Sequence, residues 1–142
     1  MPLDAIPIVV ESEAPAGLTE SSLSGNAPVL LREIAEYVKV LLETGESTAI
    51  DLNAMPLTPA DLEWLHERLG QGEIEVTLNA DGESTLSETA CPGVWWVVHR
   101  NEKGAVASQF IEVSPVPELV KAHPEDIKIG LEHLKSLIFD LS

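Results

Sequence analysis

The chain has 142 residues, enough for one domain with a real core and no need of a disulfide or metal staple. Its 24 acidic and 8 basic side chains leave a formal charge of −16, which argues against nucleic acid and against an anionic membrane surface, because both demand positive charge. A single cysteine, Cys91, excludes an intramolecular disulfide framework and fits a reducing compartment.

Residues 1–25 contain Asp4, Glu11, Glu13 and Glu20 but no Lys or Arg, so the positive n-region of a signal peptide is missing. The apolar patch Ile6 to Val10 is too short for a signal core or a membrane span. These residues predict a flexible N-terminal arm on a cytoplasmic protein, with Pro7-Ile8-Val9-Val10 offering an edge strand. A folded domain is expected over 26–142.

From Asn26 the pattern turns helical. Leu30, Ile34, Val38 and Leu41 recur at helical spacing, and Gly45 closes the helix. Ser47 to Leu52 reads as a short strand with Ile50 and Leu52 on one face. Thr58-Pro59-Ala60-Asp61 is a strong helix start: Thr58 caps, Pro59 takes the first helical position, and Asp61 puts an acid in the first turn. Leu62, Leu65 and Leu69 form the buried stripe, and Gly70 ends the helix.

Strands are expected at about 73–79, 84–89, 94–100 and 105–113, with turns at Asp81-Gly82 and Asn101 to Gly104. Ser114-Pro115-Val116-Pro117 stops the sheet. Pro124 opens a last helix on which Ile127, Leu131, Leu134, Ile138 and Leu141 keep a four-three spacing. Consecutive strands joined by short turns pair antiparallel. The class is therefore α+β, a mainly antiparallel sheet of four to five strands with helices packed on it.

The sequence shows little a catalyst could use. His66, His99, His123 and His133 are scattered, so no zinc spacing is present, and no cofactor is expected. Cys91 with His99 is the one conceivable nucleophile pair, yet the thiol precedes Pro92-Gly93 with no cation or helix N-terminus nearby to lower its pKa. Glu73/Glu75 and Glu63/Glu67 each share a face, in a chain where solvated acids are abundant. Gly70-Gln71-Gly72 follows a helix and precedes a strand, the reverse of a phosphate loop.

What stands out is apolar. In Val94 to Arg100, alternation sends Val94, Trp96 and Val98 to one face and Trp95, Val97 and His99 to the other. Two adjacent tryptophans cannot share one core. Either both faces are covered, or one is open to a partner, in which case Trp95, Trp96, Val97 and His99 are the contact residues. The reading is of a protein that holds another protein rather than an enzyme.

An ordered series of short blocks carries a family resemblance. The blocks are Gly25-Asn26-Ala27-Pro28, Ala49-Ile50-Asp51-Leu52 to Met55-Pro56-Leu57, and Leu69-Gly70-Gln71-Gly72-Glu73-Ile74. They continue with Pro92-Gly93-Val94-Trp95-Trp96, Phe110-Ile111-Glu112-Val113, Pro115-Val116-Pro117-Glu118 and His123-Pro124-Glu125-Asp126-Ile127. Over about residues 25–135 the chain resembles the HupH/HyaF hydrogenase expression/formation family. The resemblance implies a non-enzymatic maturation chaperone in nickel–iron hydrogenase assembly. Its partners would be the iron–sulfur small-subunit precursor, held before twin-arginine export, and other hydrogenase accessory proteins. Family members look like two copies of this unit, which suggests that a single copy pairs with itself as a homodimer through the Trp95 face or an open sheet edge. The competing reading is a small metal- or iron–sulfur-handling carrier using Cys91.

Overall fold

A computed structural model describes residues 22–141, so most of the arm expected over 1–25, with its edge strand, lies outside the described residues. Helix α1 spans Asn26–Thr44 and ends at Gly45, whose N–H donates to the Leu41 carbonyl at 2.9 Å. Strand β1 (Thr48–Asp51) leads through a 3-10 turn, Leu52–Ala54, into helix α2 (Pro59–Leu69). Four strands follow: β2 (Glu75–Asn79), β3 (Glu83–Glu88), β4 (Val94–Arg100) and β5 (Val106–Val113). A 3-10 turn at Glu118–Val120 precedes helix α3, Pro124–Phe139. Among the described residues no helix is long and apolar enough to cross a membrane.

The class is α+β, as expected. All five strands form one antiparallel sheet in the order β1-β5-β4-β3-β2. The β2–β4 stretch is a meander whose first turn, at Asp81 and Gly82, needs left-handed backbone at both positions. A Cβ on Gly82 would collide with the Arg100 carbonyl, so only glycine fits. The β4–β5 turn is held by the Asn101 side chain, whose Oδ1 accepts from the N–H groups of Lys103 and Ala105 at 2.9 and 3.1 Å. β1 pairs with the far strand β5, with Ile50 opposite Ile111.

Helices α1 and α2 cover one face. Leu30 and Ile34 from α1, Leu65 and Leu69 from α2, and Leu52 bury against Val94, Trp96, Ile111 and Val113. On the other face Leu86, Trp95 and Val97 make a second cluster with Val76, Leu78 and Phe110 against it. The chain after β5 turns back along that face. The Trp95 indole donates to the Ser114 carbonyl at 3.1 Å, and Glu112 accepts from the Glu118 N–H at 2.9 Å. Pro117 is buried there.

Helix α3 contributes no buried residue. Its cap is sound, with His123 Nδ1 accepting from the Glu125 N–H at 3.2 Å. The Ser114–Pro117 segment is spent on the sheet face, and the chain then leaves the body through an exposed stretch, 118–123.

The start of α2 joins three segments. Thr58 and Asp61 form a reciprocal capping box: the Thr58 hydroxyl accepts from the Asp61 N–H at 3.1 Å, and Asp61 accepts from the Thr58 N–H at 2.9 Å. Asp61, fully buried, also accepts from the Ser24 N–H at 2.9 Å and from its hydroxyl, while the Thr58 hydroxyl donates to the Ser22 carbonyl at 2.7 Å. Burial pushes the Asp61 carboxyl up. The hydrogen bonds from the Ser24 side chain, the Thr58 and Ser24 backbone and the Thr58 side chain outweigh it, and the pKa is lowered.

A depressed carboxylate pKa contributes stability that is present above the unfolded value of about 3.9 and is lost as pH falls through the folded one. Urea unfolding of the wild-type chain should therefore show stability falling below about pH 4, with Asp61→Asn flattening that fall. At neutral pH, Thr58→Ala should cost about 1 kcal/mol through the lost cap. Asp61→Ala should cost roughly 2–3 kcal/mol, because it also strands the donors of Ser24 and Thr58. An Asp61→Ala midpoint equal to wild type would refute this role.

Candidate functional site

The two tryptophans sit in separate cores, and both are covered. Trp95 is 4 % exposed and Trp96 is 6 % exposed, Val97 is buried, and His99 is half-buried. Both indole N–H groups have a partner inside the fold. The Trp96 indole donates to Gln109 Oε1 at 3.0 Å, and Trp95 donates to the Ser114 carbonyl as above. His99 Nδ1 lies 2.7 Å from the Ser84 hydroxyl, and its ring meets Phe110 edge-on at 5.8 Å. Of the four residues expected to meet a partner, His99 is thus the one with appreciable surface.

Trp96 nevertheless lines a cleft of about 200 Å³. His66, from the last turn of α2, closes one side, with its ring edge-on to Trp96 at a centroid distance of 5.0 Å. Gln71, Glu75, Ser87 and Glu88 supply the other walls. The local sequence explains the shape. Gly70 ends α2 with its N–H on the His66 carbonyl at 3.0 Å, and Gly72 passes flush against β3, donating to the Glu88 carbonyl at 2.8 Å. A Cβ on Gly72 would stand 2.5 Å from the Thr89 carbonyl. The Gly70-Gln71-Gly72 segment is therefore what brings the end of α2 down beside Glu75 and Glu88. The cleft offers carboxylates, an amide and an aromatic edge, a lining suited to a cationic or amide-bearing side chain.

Cys91 lies in the exposed turn between β3 and β4. Thr89, buried beneath that turn, holds it: its hydroxyl donates to the Val94 carbonyl at 2.9 Å and accepts from the Cys91 N–H at 3.1 Å. Among the described residues no group of three His, Cys, Asp or Glu side chains could hold a metal ion. The structure does not pair Cys91 with His99, which bonds to Ser84 instead. Glu63, Glu67, Glu73 and Glu75 are all exposed, and Glu73 lies before β2 rather than in it.

Most of the exposed large apolar side chains among the described residues lie elsewhere. Of the sixteen large hydrophobic side chains exposed among the described residues, eleven fall between Val116 and Leu141. Sequence periodicity reveals the α3 stripe but not which surface covers it. The cleft was missed because His66 and Trp96 are thirty residues apart and meet only through the α2-on-sheet packing.

An antiparallel sheet with two helices on one face, two apolar cores and a third, exposed apolar helix defines an α+β domain. The family described as "HupH hydrogenase expression protein, C-terminal conserved region" matches residues 25–140, and the chain belongs to that family. It is similar to the hydrogenase expression/formation protein HoxQ of Azotobacter vinelandii, 31% identical over 114 residues, which covers 79% of this chain and 40% of that protein. HupH of Rhodobacter capsulatus is 29% identical over 113 residues, covering 80% of this chain and 41% of the relative. The chain thus spans about two fifths of these relatives' length. The solved structure of hydrogenase expression protein HupH from Thiobacillus denitrificans ATCC 25259 is 59% identical with a TM-score of 0.80, covering 84% of this chain and 99% of that one.

Because both indoles are core groups, Trp95→Ala and Trp96→Ala should each destabilise by about 3–5 kcal/mol in chemical denaturation. Trp96→Phe keeps most of the volume but loses the bond to Gln109, and should cost about 1 kcal/mol. Loss below about 1 kcal/mol for either alanine variant would show that its ring is not packed as described.

Proposed function

We propose that this chain acts in hydrogenase maturation as a non-catalytic accessory factor that holds the iron–sulfur small-subunit precursor before export. The observation that carries the reading is family membership over residues 25–140, joined to relatives named as hydrogenase expression/formation proteins. The chemistry of the surface is compatible with it. A chain at −16 attracts a basic segment at long range, and the cleft beside Trp96 sets Glu75 and Glu88 where a cationic side chain of such a segment could be received.

The test is direct binding of the purified chain to the small-subunit precursor with its signal peptide intact, followed by calorimetry across a salt series. The association should be detectable at 0.1 M salt and weaken several-fold by 1 M, as the Debye length falls from about 10 Å to about 3 Å. Glu75→Gln with Glu88→Gln should reduce that salt dependence. Absence of binding at low salt would overturn the proposal. Affinity independent of salt would remove charge from it.

A further inference from the structure

The strongest feature left over is α3. Ile127, Leu131, Leu134 and Ile138 on the helix, with Leu141 in the turn just past its end, are between 50 % and 86 % exposed, and their spacing of four, three, four, three is that of a two-helix coiled-coil seam. A helix of 16 residues with no buried side chain gains little from packing against the described residues, and isolated helices of that length are marginal in water. The stripe needs a cover.

We propose that the cover is the α3 of a second copy, packed antiparallel about a two-fold axis at Leu134. The spacing is self-complementary in that direction. With Leu134 opposite itself, Ile127 stands level with Leu141 of the second copy, just past that helix's end, and Leu131 and Ile138 lie within one residue's rise of each other. Leu137 and Gly130 lie on one flank of the stripe, seven residues apart, so each Leu137 faces the space left open by the other copy's Gly130. Lys128 and Lys135 line the opposite flank, where Lys135 already reaches Glu132 at 3.3 Å.

Area and charge both favour this arrangement. Six large aliphatic side chains per copy are each at least about half exposed, and covering nearly all of that surface on both copies would bury roughly 1,200 Å², the lower bound of a specific interface. Two chains at −16 repel, yet antiparallel helices put the two acidic bodies at opposite ends of a rod about 24 Å long. That separation exceeds the screening length of about 8 Å at physiological salt. A parallel pair would set the bodies side by side. The homodimer expected from sequence is thus retained, with its contact moved from the Trp95 face, which is buried, to α3.

Light scattering and sedimentation on the full chain test this. The mass should rise from the 15.3 kDa of one chain toward twice that value as protein is raised from micromolar to hundreds of micromolar. Leu134→Glu should raise the dimer dissociation constant at least tenfold, whereas Ile129→Glu, on the helix but off the stripe, should leave it within about twofold. Direction is read by disulfide trapping in a Cys91→Ser background. Ile127→Cys and Leu141→Cys should cross-link when mixed, and neither should do so alone. Self-linking of Ile127→Cys would mean parallel helices and overturns the geometry. A mass that stays near one chain at every concentration overturns the dimer, even if Leu134→Glu then abolishes precursor binding. A Leu134→Glu chain that dimerises like wild type overturns the interface.

Discussion

Everything in this domain is arranged around β4, a central strand apolar on both faces. Trp96 and Val94 require a cover on one side, Trp95 and Val97 on the other, and no single layer can supply both. On the first face α1 and α2 provide it, brought into place by the crossover that sets β1 beside β5 rather than beside β2. On the second face the segment after β5 is spent on Trp95, held by the indole–Ser114 bond and by Glu112. Because that segment is committed to the sheet, the helix beyond it begins away from the body. The second face of β4 is thus covered by this segment and not by α3, which has no buried residue.

Two buried polar side chains tie this arrangement together without any ion pair. Asp61 joins the start of α2 to the chain entering α1, and Thr89 fixes the turn that delivers β3 into β4. Each satisfies several backbone groups that would otherwise be stranded, which costs more than any one bond contributes. The ion pairs among the described residues, Lys39–Glu36, Lys121–Glu118 and Lys135–Glu132, are all exposed helical or turn neighbours worth a few tenths of a kcal/mol. A chain this acidic has few cations with which to build a network, so neutral donors and one buried carboxylate do the joining.

Local rules carried far along this sequence. The Thr58-Pro59-Ala60-Asp61 start, the Gly45 and Gly70 stops and the β4 limits all stand where local chemistry places them, because each depends on residues within one turn of itself. β2 begins at Glu75, two residues later than 73, because Gly72 is bound to the Glu88 carbonyl before the ladder starts. What depended on distant packing was less legible. Alternation correctly split Trp95 from Trp96, but whether either ring was open could only be decided by what lay across from it. The fate of α3 was hidden for the same reason. An apolar stripe at helical period looks identical whether its cover comes from the same chain or from another. The His66–Trp96 cleft had no sequence signal, since its walls come from α2, β2, β3 and β4.

Contacts made through the acidic body and through the apolar helix would respond to the solvent in opposite ways, which makes them separable. Attraction between the body and a basic segment is a long-range Coulomb effect and fades as salt rises. Repulsion between two bodies fades with it. Burial of aliphatic side chains depends little on screening, and salts excluded from the protein surface strengthen it. A contact made through α3 therefore gains from added salt, by loss of body–body repulsion, while a contact made through the carboxylates of the cleft loses. One protein measured across one salt series would show two binding events moving in opposite directions if both surfaces are used, and a common direction if a single surface serves both.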